Sequence, residues 1–196
     1  MAHTSSHELT LEQQQRLLDL AEASIRSGLV AGKPCEVAEA TLDDALRAPR
    51  ATFVTLKHHG KLRGCIGTLS AHRSLARDVV AHAYAAAFSD PRFRPLRGEE
   101  LAGLEVSIAI LSPPEPLRFR DEADLLRQIR PGEDGLILES GSHRGTFLPS
   151  VWTQLPQRAE FLRQLKLKAG LPANHWSETL VIQRYRTDTI GPRRID

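Results

Sequence analysis

One short stretch, Leu62-Arg63-Gly64-Cys65-Ile66-Gly67-Thr68, sets one of the chain's two cysteines between two glycines and two residues from an arginine. The preceding Ala51-Thr52-Phe53-Val54-Thr55-Leu56-Lys57 is rich in β-branched and aromatic residues, and His58-His59-Gly60-Lys61 supplies a turn, so the whole predicts a β-hairpin. With His59 and Gly60 as a two-residue loop, Cys65 pairs with Val54 and Arg63 with Leu56, which puts Arg63 and Cys65 on one face. A guanidinium on the thiol's own face favours the thiolate, the nucleophilic form. Gly64 and Gly67, with Ile66 between them, leave room for a ligand to approach the sulfur. The plainer alternative is that Cys65 is a small packing residue and the glycines mark a bulge or tight packing.

Other residues could join such a site. Asp90-Pro91-Arg92-Phe93 sets a carboxylate and a guanidinium in a proline-stiffened segment, suited to an anionic substrate or to fixing the loop itself. His58 lies on the Cys65 face in this register, two ladder steps beyond Arg63, and is one candidate base; His143, followed by Arg144, is another from a later hairpin loop. His58, His59, Cys65, His72 and His82 fall within one part of the chain, but their spacing fits no familiar metal-ligand set. No phosphate-loop pattern is present, and no cofactor is called for.

The elements that must position these groups follow from pattern. Thr10 and Gln13 form a capping box ahead of Leu17, Leu18, Ala21 and Ile25, predicting a helix over 11–27 that stops at Gly28. Residues 28–50 read as an irregular connection. A small-residue helix over 75–88 ends at Asp90-Pro91, a strand over 105–111 stops at Ser112-Pro113-Pro114, and a short helix covers 121–129. Strands at 135–139 and 146–148 bracket a longer loop containing His143, a helix spans 158–168, and a late strand covers 179–186. Hairpins, helices and separated strands without a steady βαβ rhythm predict an α+β fold with a mainly antiparallel sheet flanked by helices.

The bulk numbers narrow the classes. At 196 residues and 41% hydrophobic content the chain suits one well-cored domain, expected over 10–190, after a polar leader at 1–9 expected to be disordered. With 26 basic and 24 acidic side chains, no global charge draws it to nucleic acid or an anionic membrane. The arginines at 118, 120, 184, 186, 193 and 194 would serve nucleic acid only if the fold gathered them. Two cysteines on dissimilar segments and no secretory leader point to a reducing cytoplasm, and no apolar run is of membrane-spanning length.

Seven segments, among them Leu62-Arg63-Gly64-Cys65-Ile66-Gly67, Asp90-Pro91-Arg92-Phe93, Gly145-Thr146-Phe147-Leu148-Pro149 and Lys168-Ala169-Gly170-Leu171-Pro172, together resemble the AMMECR domain family over roughly residues 10–190. Leu111-Ser112-Pro113-Pro114-Glu115-Pro116-Leu117 and Thr146-Phe147-Leu148-Pro149-Ser150-Val151-Trp152 are similar to its prokaryotic branch, AmmeMemoRadiSam system protein A. The resemblance implies an α+β fold of a larger and a smaller sublobe, and a MEMO-like protein and a radical SAM protein as partners. It implies no settled reaction, but carries the family's usual candidate site onto Arg63, Gly64, Cys65, Ile66 and Gly67. Many relatives have a cysteine where this chain has Lys166, so a two-cysteine mechanism does not transfer. Two functions follow as expectations: a small cytosolic enzyme or modifying factor with Cys65 as nucleophile, or a non-catalytic module that docks those partners through the hairpin. Nucleic-acid binding ranks third.

Overall fold

The computed structural model describes residues 9–195; the expected leader lies almost wholly outside them. The chain divides into two compact units: one formed by the chain up to Ile110 together with the segment from Asp188 onward, the other by Leu111–Thr187.

In the first unit, α1 (Leu11–Ala31) opens with Thr10 and Gln13 bonded reciprocally in the expected capping box. It runs past Gly28 and ends at Gly32, whose positive φ of 68° closes the helix. Gly28 is an interior packing position instead, because a side chain there would collide with the Phe88 ring. A four-residue α2 (Asp44–Arg47), capped by Asp43, breaks up the connection that follows. Then come β1 (Thr52–His58), β2 (Lys61–Gly67), α3 (Leu75–Phe88) with Ser74 as its cap, and β3 (Leu104–Leu111).

The second unit contains the two-residue β4 (Glu115–Pro116), α4 (Glu122–Gln128) capped by Asp121, β5 (Gly135–Ser140), β6 (His143–Phe147), α5 (Arg158–Lys168) and β7 (Val181–Tyr185). The final strand, β8 (Thr187–Arg194), returns to the first sheet. The sheets run β2-β1-β3-β8 and β4-β7-β5-β6, and every pairing with a resolved register is antiparallel. The fold is therefore α+β, as the pattern predicted.

Alternation along β1 decides which side of the first sheet is covered. Thr52, Val54 and Leu56 are buried, and the latter two join Leu17, Ala21 and Ile25 of α1 and Val79, Ala83 and Ala86 of α3 in one core. Phe53 and Thr55 are half-buried on the opposite face. Asp78 of α3 ties the helix to the start of β1, accepting from the Thr52 amide at 3.0 Å and its hydroxyl at 2.6 Å. In the second unit Leu136 and Leu138 of β5 and Ile182 of β7 pack on Phe161, Leu162 and Leu165 of α5, with Trp152 stacked on Phe161 at 3.7 Å between ring centres.

Three further expectations change. The hairpin register carries a bulge beside Leu56 and Lys57: Lys57 still faces Leu62, but Leu56 faces Gly64 and Thr55 faces Cys65, leaving Arg63 as the extra residue. The second hairpin has no long loop. Ser140 pairs with His143 around the two residues Gly141-Ser142, so His143 and Arg144 stand on a strand. Finally, β8 was missed because Gly191-Pro192 within it argues against a strand from sequence, yet it holds the sheet's edge position, where a proline costs no ladder bond.

Candidate functional site

Cys65 lies on β2, an edge strand, on the face of the sheet away from α1 and α3. The bulge brings it opposite Thr55, whose Oγ1 is 3.3 Å from Sγ, and Thr55 in turn faces Ser107 of β3. A thiol and two hydroxyl-bearing residues thus form one cross-strand row, all half-buried. Sequence reasoning missed Thr55 and Ser107; only the shifted register reveals them.

The same bulge takes Arg63 out of the role expected of it. Its Nε and Nη2 donate to Glu100 Oε1 and Oε2 at 2.7 and 3.1 Å, and Nη2 also reaches the Arg94 carbonyl at 2.9 Å. The side chain is only 12% exposed, and the pair holds the Glu100 carboxyl below the usual range. Its hydrogen bonds go to Glu100 and the Arg94 carbonyl, not to Cys65.

Asp90 and Arg92 do come to Cys65, through its backbone. The Cys65 amide donates to Asp90 Oδ2 at 2.9 Å, and Arg92 Nη2 donates to the Cys65 carbonyl at 3.4 Å. Arg92 also grips Asp90 through Nε at 3.0 Å and Nη2 at 2.7 Å. That grip, together with the backbone amides of Cys65 and Arg92, holds the buried Asp90 carboxyl far below the ordinary carboxylate range. Arg92 is correspondingly held protonated, chiefly by its hydrogen bonds to Asp90.

The glycines are filled from within. A side chain at Gly64 would strike the Ala86 carbonyl of α3, and one at Gly67 would strike the Phe53 ring and the Thr52 carbonyl. Neither leaves open space; both let a neighbour approach the strand. Ile66 is half-buried against the first unit's core.

The candidate bases are engaged elsewhere in their own units. His58 Nε2 is 3.1 Å from the Ala102 carbonyl and its ring lies 4.2 Å from that of His59, while His82 is buried with Nδ1 3.1 Å from Asp78 Oδ2. His143 and Arg144 belong to the second unit, where His143 Nδ1 is 3.1 Å from the Ala169 carbonyl and Arg144 pairs with Glu139 at 2.9 Å. Among the described residues no group of three or more His, Cys, Asp or Glu could hold a metal ion, and no helix is long and apolar enough to cross a membrane. Of the six arginines weighed for nucleic acid, Arg120, Arg184, Arg186, Arg193 and Arg194 each pair with a carboxylate of this chain.

Comparison with known proteins supports the resemblance on which these residues were chosen. A family model described as AMMECR1 matches residues 18–190. The chain belongs to the AMMECR1 family. A Methanothermobacter thermautotrophicus protein is 40% identical over 165 residues, covering 84% of this chain and 85% of its own. A Methanopyrus kandleri protein is 35% identical over 176 residues, covering 86% and 82%. The crystal structure of an uncharacterized protein from Pyrococcus horikoshii superposes with a TM-score of 0.83 at 32% identity, covering 92% of both chains. Within this AMMECR1 chain, Lys166, where the resemblance led to an expectation of a cysteine, is 1% exposed and donates to Glu122 Oε2 at 2.6 Å. The second unit thus offers an amine bound to a carboxylate there, not a second thiol.

Proposed function

We propose that this AMMECR1 protein is a small cytoplasmic enzyme or modifying factor that uses Cys65 as its nucleophile and works with a MEMO-like protein and a radical SAM protein. The observation that carries the reading is the Thr55–Cys65 pair: a hydroxyl 3.3 Å from a half-buried sulfur on the side of the sheet not packed by α1 and α3. A hydroxyl at that distance can donate to a thiolate and steady it while the sulfur attacks an electrophilic carbon. Arg92 supplies a cation beside the same residue. The two partners rest on the likeness of Leu111–Leu117 and Thr146–Trp152 to the AmmeMemoRadiSam branch.

The test is replacement of Cys65 by Ser in cells lacking their own copy. The expected result is a folded, soluble protein that no longer supports growth or any activity requiring the wild type. A folded Cys65→Ser protein that fully replaces the wild type removes the nucleophile.

The second reading, a non-catalytic docking module, is favoured by one observation: Arg63 and His58 are both bonded away from the thiol, to Glu100 and to the Ala102 carbonyl. It expects co-purification with the two partners that survives Cys65→Ala and is lost on Leu62→Glu, at an exposed position of β2, in a protein that stays folded.

A further inference from the structure

We propose that Asp90 and Arg92 form an ionic latch on the free edge of β2 that buries its carboxylate and turns its half-exposed guanidinium outward at Cys65, so that the site favours anionic electrophiles. This rests on the reading of Cys65 as the reactive group and assigns the cation of the site to Arg92 in place of Arg63. On the edge of a sheet the outward amide and carbonyl have no strand to pair with. At Cys65 two side chains stand in for that strand: Asp90 accepts from its amide at 2.9 Å and Arg92 donates to its carbonyl at 3.4 Å.

The latch is held from both sides. Asp90 is 4% exposed, and its two oxygens receive the Cys65 amide and, from Arg92, the amide at 3.1 Å, Nε at 3.0 Å and Nη2 at 2.7 Å. With this many donors on one carboxylate, Arg92 has little freedom to swing away. Pro91 and Pro95 restrict the backbone on either side. Both guanidiniums are bonded through Nε and Nη2 to a carboxylate, but Arg92 leaves 54% of its side chain exposed and Arg63 only 12%. Of the two guanidiniums, only Arg92 joins contact with Cys65 to a face still open to an incoming anion.

The experiment compares alkylation of Cys65 by iodoacetate, which is anionic, with alkylation by iodoacetamide, which is neutral. Both are read by mass spectrometry on the folded protein, with Cys35 as internal reference. In the wild type the ratio of the two rates at Cys65 exceeds that at Cys35 and falls as salt is raised. Arg92→Gln lowers the ratio at Cys65 roughly fivefold, the scale of one unit charge near a protein surface. Arg92→Lys restores much of it, and Arg63→Gln leaves it unchanged. A general loosening of the fold would change both rates together and spare the ratio, and circular dichroism confirms that each variant is folded. Reactive Cys65 with an unaltered ratio in Arg92→Gln, or an equal fall in Arg63→Gln, overturns the latch and spares the nucleophile. Cys65 that resists both reagents in the folded wild type removes the reactive thiol, and the latch with it.

Discussion

The two hairpins of this protein solve the same packing problem with different consequences. β1–β2 turns at His59-Gly60 and β5–β6 at Gly141-Ser142, and each sets a glycine against a helix: Gly64 beneath the Ala86 carbonyl of α3, Gly145 beneath Ala169 at the end of α5. The β5–β6 ladder keeps its register from Leu136–Phe147 to Ser140–His143. The β1–β2 ladder slips by one residue beside Leu56. That extra residue, Arg63, leaves the ladder for Glu100, and the slip sets Cys65 against Thr55 instead of Val54. A single bulge therefore separates a hairpin that only packs from one that gathers a thiol, a hydroxyl and an ionic latch.

The largest expected effect tests the shared feature. Gly64→Ala drives a methyl into a helix carbonyl that cannot move without shifting α3, and should cost about 3 kcal/mol in denaturant unfolding. Gly145→Ala meets Ala169 Cβ at 2.9 Å and its backbone nitrogen at 3.0 Å, a milder overlap than at Gly64, and should cost about 1–2 kcal/mol. Equal costs would mean that the two close approaches are not different in kind.

Asp90→Asn tests what only the first hairpin has. Removing a buried carboxylate that receives an arginine fork and two amides should cost about 2–3 kcal/mol at pH 7. The Asp90 carboxyl is depressed in the folded chain, so its contribution is complete above the unfolded value of about 4 and is lost as pH falls toward the folded value. The gap between wild type and Asp90→Asn should therefore be flat from pH 7 to pH 5 and shrink below pH 4. A gap that widened in acid would contradict the assignment.

The smallest effect sharpens the contrast from the other side. Burial pushes the Tyr185 phenol up to about 12, and its hydroxyl donates to the Phe147 carbonyl at 3.1 Å and lies 3.0 Å from Thr146 Oγ1, bracing β6. Tyr185→Phe should cost about 1 kcal/mol, with no dependence on pH between 5 and 9. A cost as large as that of Asp90→Asn would show that the second hairpin depends on a polar anchor as much as the first.

Much of this was open to reading from local pattern. The capping box at Thr10, the helices over 75–88 and 158–168 and the strand ahead of Ser112 all depend on neighbours within a few residues, and all stand where expected. The choice of Arg63, Cys65, Asp90 and Arg92 as a neighbourhood was also visible, since three of the four do meet. What failed was the geometry between them. The glycines at 64 and 67 admitted a bulge without fixing its place, and a shift of one residue changes every cross-strand partner beyond it. β8 escaped because its pairing with β3 joins segments far apart in the chain and overrides a Gly-Pro pair.

The sequence by itself determined the fold class, most of the elements, the family and the residue types at the site, because helix caps, turn glycines and apolar periodicity act over short distances. Only the tertiary structure decided that Arg63 belongs to Glu100, that Thr55 faces the sulfur, and that Asp90 and Arg92 close the edge of β2. Each of those outcomes depends on which long-range partner satisfies a buried charge or an unpaired backbone group, and that competition is settled only when the sheet, α3 and the Asp90–Glu100 segment are packed together.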